Sequence, residues 1–261
     1  MGVSLSRIGV IATNVFREVI RDRILYLVGF FALLLIAATA LLPEVAAGNE
    51  AKITRDLGLA AISLLGLVIA VFVGTGLVNK EIEKRTVYVL IAKPISRIEF
   101  VVGKHLGLTA VLAVLILAMT AIYIGVLTAY QIAYPLSSIL LASLYILLEL
   151  ALITAVAILF GVFTSSLLAT LLTFAVYLMG HFSRDLVALG NLADNPTIQR
   201  VTQSLYLVLP DLSRFDLKNQ AVYGVQLLPS PTELVGSAAY GLLYIVLLLA
   251  IAVAVFSRRE F

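Results

Sequence analysis

The sequence predicts an all-α polytopic membrane protein with six transmembrane helices, and three observations carry that prediction. Of its 261 residues, 62% are hydrophobic and 13% charged, whereas soluble domains run at roughly half and about a quarter. Soluble enzymes, nucleic-acid readers and disordered chains are excluded as classes by that balance. Six stretches carry no Asp, Lys or Arg, and a single Glu between them: 24–42, 57–79, 106–130, 136–163, 165–182 and 234–257. A helix needs about 20 residues to cross a hydrocarbon core of ~30 Å, and the fifth stretch, at 18 residues, sits near the lower limit. Nowhere does the chain show the ten-residue alternation of a transmembrane barrel, which leaves helices as the way to satisfy the backbone in lipid.

The first element precedes the first span. In residues 5–22, Leu5, Ile8, Ala12, Val15 and Val19 recur at spacings of three and four, while Arg7, Asn14, Arg17, Glu18 and Arg21 lie elsewhere around the helix. That is an amphipathic helix suited to the cytoplasmic interface. The stretch 24–42 that follows is too long, and too far from the start, for a signal-peptide core of about 7–15 residues. It reads as an uncleaved anchor, although Val45-Ala46-Ala47 is a passable cleavage site.

Basic residues orient the spans. An even number puts both termini on one side, and twelve of the 18 Lys and Arg gather there, in 7–23, 80–104 and 258–259. The remaining six, Lys52, Arg55, Arg184, Arg200, Arg214 and Lys218, fall on the other. Both termini are therefore expected in the cytoplasm. The net charge of +3 has this topological reading and implies no nucleic acid.

Three connections stand out. The cytoplasmic segment 80–97 is the most charged part of the chain, and its apolar middle predicts a short helix broken at Pro94, with Ser96 and Glu99 forming a capping box that starts the third span. The link around Thr164 is so short that spans four and five must form a tight antiparallel pair. The outward segment 183–232 has eight charges of balanced sign and an apolar run at 205–209 that is too short to span; a helix dipping into or lying on the outer leaflet is expected there.

Little in the chain points to chemistry of its own. It lacks a P-loop, an H-E-x-x-H pair and a G-x-S-x-G elbow. Without cysteine, and with only His105 and His181, no metal site is expected. Glu149 is the one charge deep in a span, which costs a few kcal/mol on insertion scales. It either contacts cargo or a proton in a watery cavity, or locks helices together through Thr154, Tyr145 or Thr120. Gly66, Ala70 and Gly74 make a stripe of small residues suited to close helix packing. A sparse set of hydroxyls (Thr75, Thr109, Thr120, Thr128, Ser143, Thr154, Thr170, Thr173) suits amphipathic, lipid-linked or hydrophobic cargo better than ions or sugars.

The cytoplasmic pattern Glu81-x-Glu83-x-x-Thr86-x-x-x-Leu90-x-x-x-Pro94-Ile95-Ser96-Arg97, followed by Gly103-Lys104, resembles the signature of ABC-2 type transporter permeases, with Arg85 where that family commonly has glycine. Arg17-Glu-Val-Ile-Arg-Asp-Arg-Ile-Leu resembles the family's amphipathic N-terminal helix, and Phe160-Gly-Val-Phe-Thr-Ser-Ser its junction between spans four and five. The stretch from Leu207 to Asn219 is similar to the outward segment of the six-helix, single-domain branch that includes the nitrous-oxide-reductase maturation permease.

The resemblance covers residues 1–261 as one transmembrane domain and implies a non-catalytic exporter subunit in the cytoplasmic (inner) membrane. Two copies would pair, each engaging an ABC ATPase on a separate chain that carries the ATP and Mg. This chain itself would hold no cofactor. Glu81, Glu83, Lys84, Arg85, Thr86, Leu90, Pro94, Ser96 and Arg97 would then lie in the ATPase-coupling segment, Arg17, Glu18 and Arg21 would add contacts, and 183–232 would cap the outer mouth. Two other readings remain open: a mechanotransmitting or scaffold subunit acting on an extracytoplasmic protein, and an ATP-independent secondary carrier. The latter would want inverted repeats or several buried charges.

Overall fold

The computed structural model describes residues 4–45, 48–83, 96–192 and 196–258. These residues are helical nearly throughout and contain no strand. In chain order the helices are α1 (Leu5–Val19), α2 (Leu25–Val45), α3 (Glu50–Glu83), α4 (Arg97–Ala129), α5 (Leu136–Phe163), α6 (Ser166–His181), α7 (Ser183–Leu192), α8 (Pro196–Val208), α9 (Lys218–Tyr223) and α10 (Pro231–Arg258). A π-helical turn, Ile20–Ile24, joins α1 to α2. Helices α2, α3, α4, α5 and α10 are each long and apolar enough to cross a membrane. A sixth crossing would fall to α6 together with α7: α6 has 16 residues and meets α7 at a 60° bend, and only the pair is long enough for a span.

Helix α5 is the axis of the bundle. In its most apolar stretch 72% of the residues are buried, against 17% for α2 and 28% for α10, and it packs against α3, α4, α6 and α10. Close approach of α3 to α5 depends on small residues: a Cβ on Gly74 would stand 2.9 Å from that of Ala157, and one on Gly66 would enter the Leu150 side chain. The small-residue stripe read from the sequence is thus a packing seam, as van der Waals contact in lipid requires. Leu33 on α2 and Leu243 on α10 stay exposed, as lipid-facing positions should.

The helix starts are encoded locally. Ser96 Oγ accepts from the Glu99 amide at 3.2 Å, while Glu99 Oε2 accepts from the Ser96 amide at 2.8 Å, so the expected capping box forms and α4 begins nine residues before the uncharged stretch does. Ser230 and Glu233 make the same reciprocal pair ahead of α10, whose first residue is Pro231. Helix α1 forms as expected, but Ile8, Val15 and Val19 are buried against α4. Leu5, at the end of the predicted stripe, remains 84% exposed.

Segment 183–232 is more structured than its sequence suggests. Helices α7 and α8 pack as a hairpin, and the chain then returns over the bundle. Leu212, Phe215, Leu217, Ala221 and Val222 are buried, with α9 against α3 and α5. The phenyl ring of Phe215 seats over Gly241 of α10. The apolar run at 205–209 closes α8 instead of forming a helix of its own. Residues 210–223 make a cap on that end of the bundle.

Candidate functional site

Two polar regions interrupt the apolar bundle. The first is the rim where segment 80–97 joins the spans. Glu81 and Glu83 belong to the last turn of α3, with side chains outside the described residues. Lys84, Arg85, Thr86, Leu90 and Pro94 lie wholly outside them. Ser96 is the N-cap of α4. Arg97 donates to the Ser257 carbonyl and stands 6.0 Å from the Phe256 ring centre, so its guanidinium closes the C-terminal turn of α10. Arg17, Glu18 and Arg21 are exposed.

What the sequence reading missed is how tightly this rim is cross-tied. Glu99 is fully buried, and beyond the capping box it accepts from the Ser4 amide at 2.7 Å and lies 3.5 Å from Arg7. One carboxylate therefore serves the N-termini of both α1 and α4, where the helix dipoles favour negative charge. Lys104, also buried, donates to the Leu77 carbonyl of α3 at 3.0 Å and stands over the Phe100 ring, which itself stacks on Phe256 of α10. Four helix ends are joined at one level. The Gly103-Lys104 pair in the sequence was the available signal: a lysine at the start of a span must either reach water or find a carbonyl.

The second region lies beneath the cap, level with the middle of α5. Glu149, on α5, is fully buried, and its expected partners are engaged elsewhere. Thr154 donates to the Leu150 carbonyl, Tyr145 to the Leu234 carbonyl and Thr120 to Ser143. Its neighbour is instead His181 of α6, read from sequence as an interfacial side chain, with Nε2 at 3.4 Å from Glu149 Oε1. That contact lacks hydrogen-bond geometry, and both carboxylate oxygens and Nε2 are without a hydrogen bond. Lys218 of the cap bonds Asp216 at 3.3 Å and reaches Ser63 of α3 at 3.4 Å.

The cap is anchored beside this cluster by Asp211. Its carboxylate accepts from Arg184 at 2.8 Å, Arg214 at 3.1 Å, Ser213 at 2.5 Å and Ser183 at 3.4 Å. Burial works against the charged form, but Ser213 and the two arginines outweigh it and hold the carboxyl below its ordinary range. The Asp211 amide donates to the Tyr240 hydroxyl of α10 at 2.9 Å, and Arg214 lies over the Tyr240 ring.

Between the two regions, most of the span hydroxyls among the described residues are satisfied locally. Thr75, Thr128, Ser143, Thr154, Thr170 and Thr173 each donate to the carbonyl four residues back, which satisfies the hydroxyl within its own helix. A lateral groove of about 660 Å³ does open between α4, α5 and α10, walled by Val102, Leu148, Ile245 and Val253, with Thr109 and His105 on its floor. His105 is buried, its Nε2 2.9 Å from the Ala151 carbonyl.

Comparison with known families finds one that covers nearly the whole chain: a family model described as ABC-2 family transporter protein matches residues 10–261. No curated protein matches the sequence.

Proposed function

This chain belongs to the ABC-2 transporter family and is a membrane permease of an ABC transporter, and from that premise we propose that it is the half-transporter on which a separate ATPase subunit acts. Two copies pair, each binds one ATPase, and the cycle moves an apolar or amphipathic cargo out of the cytoplasm. ATP and Mg are held by the ATPase, and the permease performs no chemistry. It resides in the cytoplasmic membrane with both termini inside.

The observation that supports this division of labour is the cross-tied rim. ATP-driven motion reaches the membrane only through contacts that differ between two states. Segment 80–97, from Glu81 through Glu83, Lys84, Arg85, Thr86, Leu90 and Pro94 to Ser96 and Arg97, leaves the end of α3 and enters the start of α4. Those helices are joined there by Lys104, to α10 by Arg97, and to α1 by Glu99. A displacement of the segment is therefore delivered to four helices together, with Arg17, Glu18 and Arg21 on the same N-terminal helix offering further contacts.

Gentle detergent purification from the native membrane tests this reading. One P-loop ATPase per permease, in a complex with two permeases, is the expected composition. In that complex, Glu83→Ala and Arg85→Glu should abolish permease-dependent stimulation of ATP hydrolysis without changing membrane insertion. Unaltered stimulation in both would remove the coupling role of the segment, and no co-purifying ATPase would remove the half-transporter itself.

A second reading has one observation in its favour. The α7–α8 hairpin leaves Leu189, Leu192, Val201 and Leu207 exposed, a surface able to grip an extracytoplasmic protein. A subunit that transmits force without passing cargo would use it. Capture of a soluble extracytoplasmic protein by the intact complex, lost when these leucines are made polar, would favour that mode.

A further inference from the structure

We propose that Glu149 and His181 form a proton-binding site beneath the outward cap, and that the closed cap holds one more proton than the lifted one.

The proton count follows from geometry. His181 Nδ1 lies 3.1 Å from the Tyr177 carbonyl. A carbonyl only accepts, so Nδ1 carries hydrogen. The opposite nitrogen, Nε2, faces Glu149 Oε1 at 3.4 Å. With no proton between them, a nitrogen lone pair would face a fully buried carboxylate, an uncompensated charge in an apolar bundle. With one proton the pair is neutral overall, whether the arrangement is carboxylic acid with imidazole or carboxylate with imidazolium. A small rotation then converts the contact into a hydrogen bond. Two protons would leave a buried positive charge. The closed site therefore holds one.

The surroundings leave that count unchanged. Among the described residues, the charged groups that act on the pair are Lys218, Asp216 and Asp211. Lys218 is paired with Asp216 and reaches Ser63 of α3. Asp211 is balanced by Arg184 and Arg214. On α6 the neighbour is the Tyr177 hydroxyl, which pairs with Ser63. Lys218 and Asp216 offset one another, the arginine in excess at Asp211 is partly exposed to water, and no charge from the cap reaches the Glu149 oxygens as a hydrogen-bond donor.

Residues 215–222 keep this pair dry: Phe215, Leu217, Ala221 and Val222 are buried where the cap meets the bundle. Lifting the cap admits water, after which the carboxylate and the imidazole titrate as separate solvated groups, near ~4.3 and ~6.5. Above about pH 7 neither then keeps the proton. Proton release and cap opening are consequently linked in both directions. The site depends only on the packed cap, and holds whatever the cargo.

The chain has no cysteine, so single thiols report opening without background. Ala221→Cys, at a buried position, reacts with a maleimide only when the cap lifts, and Ser230→Cys, at an exposed one, corrects for the reagent's own pH dependence. The full-length chain in lipid nanodiscs is labelled from about pH 7 to 9. The ratio of the two rates should rise by up to about tenfold per pH unit, the dependence expected when opening releases one proton.

In Glu149→Gln the amide donates to Nε2 without a titratable proton, and the ratio should be flat with pH. Glu149→Leu removes the carboxyl without offering a donor and should flatten it as well, which keeps the test usable if one variant folds poorly; His181→Gln leaves a buried carboxyl that still takes up a proton on closing, and should keep the dependence. A pH-independent ratio in the parent chain overturns the proposal, and so does an undiminished pH dependence in either Glu149 variant.

Discussion

Asp211 illustrates how one side chain can determine the course of a long connection. It is nearly buried, yet its four donors come from the α6–α7 junction and from its own 3₁₀ turn, so the cap is secured at the point where the chain returns from α8. Removing a partner from such a group leaves the others unpaired. Because Arg184 and Arg214 are themselves about half exposed, water recovers part of the loss, and Asp211→Ala should cost about 1–3 kcal/mol. The folded carboxyl titrates below its ordinary range. Its contribution is therefore complete above the unfolded value of ~3.9 and is lost as pH falls through the lower, folded value. Denaturation midpoints in detergent, compared at neutral pH and near pH 3, should show acid destabilisation in the parent chain that is reduced in Asp211→Asn. Equal acid sensitivity in the two would mean that the cap is held by its apolar contacts alone.

At the level of elements, the seating of α1 on α4 turns on two missing side chains, at Gly103 and Gly107. A Cβ at Gly107 would stand 2.7 Å from the Ala12 carbonyl oxygen and from Val15 Cβ. Overpacking of this kind costs about 1–3 kcal/mol, and the cheapest relief is for the N-terminal helix to move away. Gly107→Val should expose α1 to trypsin at Arg17 and Arg21, while Gly125→Val on the same helix, where a side chain meets open space, should cleave like the parent. Matching digestion of both variants would show that α1 is held elsewhere. The same helix shows what was legible beforehand. Its 3.6-residue periodicity announced an amphipathic helix, and Ser96 with Glu99 announced the start of α4, because both signals act over a few residues. Periodicity does not say what covers an apolar stripe, and here α4 does. The neighbour of Glu149 was illegible for the same reason. His181 is 32 positions away, and only the antiparallel α5–α6 pair and the fold of the cap bring the two together. Lys84, Arg85, Thr86, Leu90 and Pro94, proposed for coupling from their motif, lie outside the described residues, and Ser96 and Arg97 turn out to cap helix ends.

Across the whole molecule, the decisive question is whether the chain crosses five times or six. At a rise of 1.5 Å per residue the 16 residues of α6 span about 24 Å, short of a ~30 Å core. Hydropathy alone therefore leaves this helix ambiguous, yet its neighbours settle its direction. Arg55 donates to the carbonyls of Ala133 and Val222 at 3.3 and 3.4 Å, which places the start of α3, the α4–α5 turn and the cap at one end of the bundle. Glu99 with Ser4, and Arg97 with Ser257, mark the other. Helix α6 begins where α5 finishes and heads toward the first end, its last residue, His181, standing level with Glu149 at the middle of α5. The bilayer must thin locally or let the bent α7 complete the apolar path, adjustments that cost fractions of a kcal/mol per Å. Six crossings then make a definite labelling pattern in a chain without cysteine. In intact cells a membrane-impermeant maleimide should modify single cysteines at Gln131, Asn191 and Ser230, and should reach those at Ser6, Ser165 and Ser257 only after permeabilisation. If α6 did not cross, Asn191 and Ser230 would be protected while Ser257 became reactive. The twelve-to-six distribution of basic residues would then no longer agree with the positive-inside rule, because the C-terminal Arg258 and Arg259 would lie outside.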